Sequence, residues 1–190
     1  MADYLSRIQL GNLCLVGCCV FYLVWWSITF NPMRKFPMVP KYILFFVTLG
    51  FGVAGVILLV YGMGAAPKER GGLSATMLVG YGVVGYFILL LVTNYFLHRQ
   101  VTTELLLIVG WTVLELCVIN CLYRAGAVNM APAVILGVVV VAAAVVGMVC
   151  YLEYYSLEPV TAFYDGMVPL ILFAVVMAVE LGVFHAVAAV

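Results

Sequence analysis

Residues 50–55 read GFGVAG, and residues 80–85 read GYGVVG. Both fit the pattern G-x-G-x-x-G, which binds a dinucleotide when it joins a strand to a helix. There the glycines make the tight turn and the pyrophosphate rests on the free helix N-terminus. The surroundings argue against that use here. Each hexapeptide lies in the middle of a long apolar run, 41–64 or 73–97. Neither is preceded by a strand or followed by a free helix N-terminus. Acidic residues do occur about twenty positions on, at Glu69 and Glu104, but at the ends of apolar runs.

Glycines in an apolar helix have another use. In lipid, helices associate through close packing, and small residues let their backbones approach. Gly52 with Gly55, and Gly82 with Gly85, form smooth patches one helical turn long. Gly50 and Gly80 extend the smooth surface to a second face, because residues two apart lie about 200° apart around a helix. The pattern predicts that the second and third apolar segments, antiparallel neighbours, cross tightly through Gly50, Gly52, Gly55, Gly80, Gly82 and Gly85. A locally unwound helix lining a cavity is the other reading of the same glycines.

The composition sets the solvent. Of 190 residues, 67% are hydrophobic and 8% charged, and the mean hydropathy is +1.25. A soluble domain carries roughly 25% charged residues, so this surface is built for lipid. A spanning helix needs about 20 predominantly apolar residues. Six stretches qualify: 9–30, 41–64, 73–97, 101–123, 130–152 and 167–189. Backbone groups in lipid must be satisfied within the segment, which requires helices, and the short alternating runs of a barrel are absent. The expected fold is an all-α integral membrane protein, a bundle of six transmembrane helices forming one domain over 1–190. The third span ends VTNYFLH and the sixth VELGVFH, a faint parallel that fits two three-helix inverted repeats. The N-terminal segment lacks a signal-peptide cleavage pattern and is expected to remain as the first span.

Six spans put both termini on one side. Arg7, Lys68, Arg70 and Arg124 fall on that side, and Arg34, Lys35, Lys41 and Arg99 on the other. The tie leaves orientation open. The expected residence is the plasma (inner) membrane. No basic patch with interleaved aromatics points to nucleic acid.

Ionisable side chains at mid-bilayer are costly and mark function by default. Glu115 falls near the middle of the fourth span and Glu180 near the middle of the sixth. Glu104, Trp111 and Glu115 share one helical face, being seven and four positions apart. Asn12, Asn120 and His185 lie toward the terminal side. Asn94, His98 and Arg99 gather with Glu104 at the opposite mouth. Ordered by depth, these groups form a polar ladder of the kind a proton or small polar solute needs. The alternative is mutual satisfaction that holds helices together.

Cys14 with Cys18, and Cys117 with Cys121, are i, i+4 pairs on the first and fourth spans. They are candidate soft-metal ligands, although a cysteine in an apolar helix commonly packs as a small hydrophobe. No cofactor is called for. No nucleophile–base pair, HExxH or GxSxG is present, which argues against an enzyme. Between the last two spans, YLEYYSLEPVTAFYDG carries three carboxylates among five aromatics, fitting either a lid or an interfacial belt.

The function expected from these residues is a small membrane transporter or channel for a proton-coupled or small polar solute. Its partners are the bilayer and that solute. A non-catalytic subunit docking a partner membrane protein, or a homo-oligomer, is the alternative. A membrane-embedded redox or metal-binding enzyme is a third reading.

Overall fold

The computed structural model describes residues 2–98 and 103–188. Their regular structure is helical throughout: α1 (Ala2–Thr29), α2 (Met38–Ala65), α3 (Ala75–Leu97), α4 (Thr103–Arg124), α5 (Met130–Tyr154), α6 (Pro159–Asp165) and α7 (Val168–Ala188). Six of these segments are long and apolar enough to cross a membrane. The protein is an all-α multi-pass membrane protein.

The helix boundaries follow from the prolines. Pro40, Pro132, Pro159 and Pro169 all fall in the first turn of their helices. There the missing N–H deprives no carbonyl of a partner. Pro32, Pro37 and Pro67 lie between helices. No helix interior is interrupted. α3 opens on Ser74, whose hydroxyl accepts the Met77 N–H at 3.1 Å, an ordinary N-cap. α1 begins seven residues before the expected span. Asp3 sits in its first turn and pairs with Arg7 at 2.7 Å, so polar residues extend the helix beyond the apolar stretch.

The chain divides into two compact units, Met1–Ala66 with Leu152–Val190, and Pro67–Tyr151. This grouping cuts across the two three-helix halves that an inverted repeat would pair.

In the first unit α1 is the hub, packed against both α2 and α7. The α1–α2 seam alternates large against small. A Cβ added at Gly11 would stand 2.7 Å from Leu59 Cγ, and one at Gly55 would stand 2.8 Å from Leu15 Cδ2. One at Gly62 would stand 2.8 Å from Ile8 Cγ1, and Gly52 faces Cys18. Ile8, Gly11, Leu15 and Cys18 repeat at steps of three and four, as do Gly52, Gly55, Leu59 and Gly62. The two rows meet in antiparallel order, as knobs in a coiled-coil seam do. At the centre the backbones touch: the Gly11 carbonyl would lie 3.0 Å from a Cβ at Gly55.

Within each unit the glycines meet neighbours that the sequence pattern did not name. Gly52 and Gly55 are filled by α1, while Gly82 of α3 is filled by Val113 of α4. Gly50, Gly80 and Gly85 meet no atom within 4 Å. The backbone remains helical through both hexapeptides, so neither is an unwound segment.

α6 was not foreseen. Pro159 starts it, and Ala162 N–H bonds the Glu158 carbonyl at 2.8 Å. Its end is pinned by Trp26 of α1. The indole N–H donates to the Phe163 carbonyl at 3.0 Å, and the ring occupies the space a side chain at Gly166 would need. Phe30 and Tyr154 complete an aromatic cluster around Trp26.

Gly55→Ala is expected to destabilise the protein by about 1–3 kcal/mol through overpacking against Leu15 and the Gly11 carbonyl, and Gly50→Ala to leave stability unchanged. Unfolding in detergent of the two variants checks this; equal midpoints would contradict the seam.

Candidate functional site

Among the described residues, five polar side chains are buried: Asn12, Thr48, Thr93, Glu115 and Glu180. The threonines satisfy themselves within their helices. Thr48 Oγ1 donates to the Leu44 carbonyl and Thr93 Oγ1 to the Leu89 carbonyl, each at 2.8 Å. This back-bonding is open to a short hydroxyl side chain. Asn12, Glu115 and Glu180 have no exposure at all.

Glu180 belongs to the first unit. It shares one face of α7 with the buried Phe173, Met177 and Phe184, at steps of four and three. α7 runs antiparallel to α1. At one end Trp26 meets Phe163 and Gly166. Toward the other end Ser6, Gln9, Leu10 and Leu13 share a groove with Leu181 and His185. Two antiparallel helices of equal rise keep this register between the ends. Asn12 and Glu180 therefore occupy the same level. Among the described residues, neither end of the Asn12 amide has a hydrogen-bond partner, and neither does the buried Gln9 Nε2.

Glu115 belongs to the second unit, on α4, the most deeply buried of the spans. Ile108, Glu115 and Leu122, seven residues apart, lie on one buried face. The predicted Glu104–Trp111–Glu115 face grades from outside to inside: Glu104 is exposed, Trp111 half-buried and Glu115 fully buried. Glu104 sits in the first turn of α4, where a carboxylate also complements the helix dipole.

The remaining candidates are spread apart. Asn120 is engaged in holding a connection. Its amide donates to the Leu73 carbonyl at 2.8 Å, and Arg124 Nη1 donates to the same oxygen at 3.2 Å. The Arg124 carbonyl in turn accepts the Glu69 and Arg70 N–H groups, both at 2.9 Å. Segment 67–74 is thereby laced onto the end of α4, and the helix turns off through Gly126 at φ +74°, a left-handed position that favours glycine. Asn94 is exposed near the end of α3. His98 is the exposed left-handed cap of that helix, with φ 48°. Arg99 lies outside the described residues. His185 is exposed on the wall of the α1–α7 groove.

All six cysteines are free thiols. Cys14 and Cys18 lie on α1 in the first unit, and Cys117 and Cys121 on α4 in the second. Among the described residues no group of three or more His, Cys, Asp or Glu side chains is placed to hold a metal ion.

Sequence reading placed Asn12 only among the polar groups on the terminal side and did not make it a site residue. The signal was its depth: counted inward from the chain ends on antiparallel helices, it stands level with Glu180.

Comparisons of the chain with protein-family models, curated proteins and solved structures find no match. Its chemistry must be argued from its own residues.

Asn120→Leu is expected to loosen segment 67–74 by on the order of 1 kcal/mol, the value of a lost hydrogen bond. Hydrogen exchange at the Glu69 and Arg70 amides should quicken while the centre of α4 stays protected. Unchanged exchange would show that Arg124 alone holds the segment.

Proposed function

We propose that the protein is a small membrane transporter or channel for a proton-coupled or small polar solute, with Glu115 and Glu180 as its working groups. The observation that carries this is the complete burial of a carboxyl group in each of two transmembrane helices. Bringing a carboxylate to that depth costs several kcal/mol. A buried carboxyl group whose charge changes when water, a proton or a cation arrives is the element a transport cycle or gate requires. Trp111, half-buried one turn from Glu115, is a bulky element on the same face. Glu104, exposed at the start of α4, and His185, exposed near the end of α7, each suit a role at the mouth of a route within their own unit.

A second reading has its own observation. None of the apolar window of α3 is buried within the chain, and Gly80 and Gly85 lie open on it. That surface suits lipid, but it also suits a helix of a partner subunit or of a second copy, which small residues would admit closely.

Flux measurements in proteoliposomes test the first reading. Proton and cation flux should be present in the wild type. It should fall by at least about 100-fold in Glu115→Gln or Glu180→Gln, the scale on which removing an essential proton-transfer group acts. Wild-type protein inactive under proton, cation and small-solute gradients, with both variants normally folded, would overturn it.

A further inference from the structure

The α1–α7 seam differs in character along its length. At one end it is closed by Trp26 against Phe163 and Gly166. At the other it opens into a cavity of about 370 Å³ lined by Ser6, Gln9, Leu10, Leu13, Leu181 and His185. Three of these six side chains are polar, which is unusual for a groove in a membrane-spanning pair. The polar members continue inward along α1. Gln9 follows Ser6 by three residues, and Asn12 follows Gln9 by three, so each is a turn-neighbour of the last and the polar stripe winds about 120° around the helix from the groove to its buried side.

The buried end of that stripe needs explanation. Gln9 Nε2 is buried without a hydrogen-bond partner, and so are both ends of the Asn12 amide. An amide left dry and unpaired in an apolar interior costs several kcal/mol. Native structures seldom tolerate this, and an ordered water or ion commonly supplies the missing partner. Asn12 offers a donor and an acceptor, which is what a water molecule requires. The same level of the seam holds Glu180.

We propose that the α1–α7 groove is a water-filled vestibule and that Asn12 binds the water at its inner end, linking the vestibule to Glu180. The ligand is water and the hydrated proton. The ionisable groups on the two packed helices agree with this direction of entry: His185 stands on the wall, and Arg7 with its partner Asp3 lies at the open end of α1. Leu10, Leu13 and Leu181 give the vestibule an apolar lining that confines water to the polar stripe. The purpose of the route rests on the transport reading, but the presence of water in it does not.

Hydroxyl-radical footprinting of the unmodified protein in lipid nanodiscs tests the vestibule directly. The radicals form in water, so side chains beside water are oxidised ahead of those beside lipid. Leu10 and Leu13 should be oxidised well ahead of Leu49 and Val20, which are comparably exposed positions of the same unit outside the groove. Equal oxidation of the four would overturn the vestibule. The inner end is tested by Asn12→Cys, with Val20→Cys as control. Both are labelled by a small cationic methanethiosulfonate and read peptide by peptide, so that the native cysteines can stay. A thiol reacts as its thiolate, which water supports and lipid does not, so position 12 should label at least about tenfold faster. Equal rates would overturn the role of Asn12. If Asn12→Cys fails to fold, the footprint of the unmodified chain decides. A wet vestibule in a protein without flux would refute transport alone, and a dry groove in a protein with flux would refute the vestibule alone.

Discussion

The constraint on which this structure depends is that a polar group in lipid has no water to turn to. Every backbone N–H and carbonyl must find a partner inside the chain, and the sequence is organised around that demand. Its prolines fall in first turns or between helices, where a missing N–H does no harm. Its buried threonine hydroxyls return to their own helices, at Leu44 and Leu89. The end of α4 has its Arg124 carbonyl taken up by two N–H groups of the preceding connection. Where the demand is met so widely, the Asn12 amide, without a hydrogen-bond partner among the described residues, stands out.

The second organising force is contact. With lipid as apolar as leucine, helices gain little by hiding apolar surface and associate where their surfaces fit. α1 shows both ways of using a seam. Toward α2 it is dry and interlocked, with glycine facing Leu59, Leu15 and Ile8 in turn and the two backbones touching at Gly11 and Gly55. Toward α7 it lines an open groove with Ser6, Gln9, Leu10 and Leu13, facing Leu181 and His185.

Much of the fold was legible in the sequence, and the reasons are physical. Length and apolarity alone locate six spans, because a bilayer has a fixed thickness and excludes charge. Glu115 and Glu180 were visible for the same reason, as charges where none is expected. The partner of a glycine face was not legible. Gly52 and Gly55 specify a smooth surface on α2, but the choice between α1 and α3 depends on which neighbour offers Leu15 and Ile8 at matching heights. Connectivity points only to the next helix in the chain. The seven residues of α6 carry too little periodicity to declare a helix, and its position depends on Trp26, far away in the chain. Asn120 looked like a pathway residue because depth was its only visible property, whereas its amide serves the Leu73 carbonyl. Asn12 was passed over because a single amide near a helix end is commonplace until its burial is known.

On the proposed transport function, Glu115 and Glu180 are kept for work rather than for holding the helices together. Residues kept for function are commonly neutral or costly to stability, whereas breaking a structural buried charge pair costs about 3–5 kcal/mol. The most direct measurement is the unfolding free energy, in one detergent, of Glu115→Gln and Glu180→Gln beside the wild type. Each change removes the charge and preserves the shape. The account predicts variants as stable as the wild type or more stable. A loss of several kcal/mol in both would contradict it and make the two carboxylates structural.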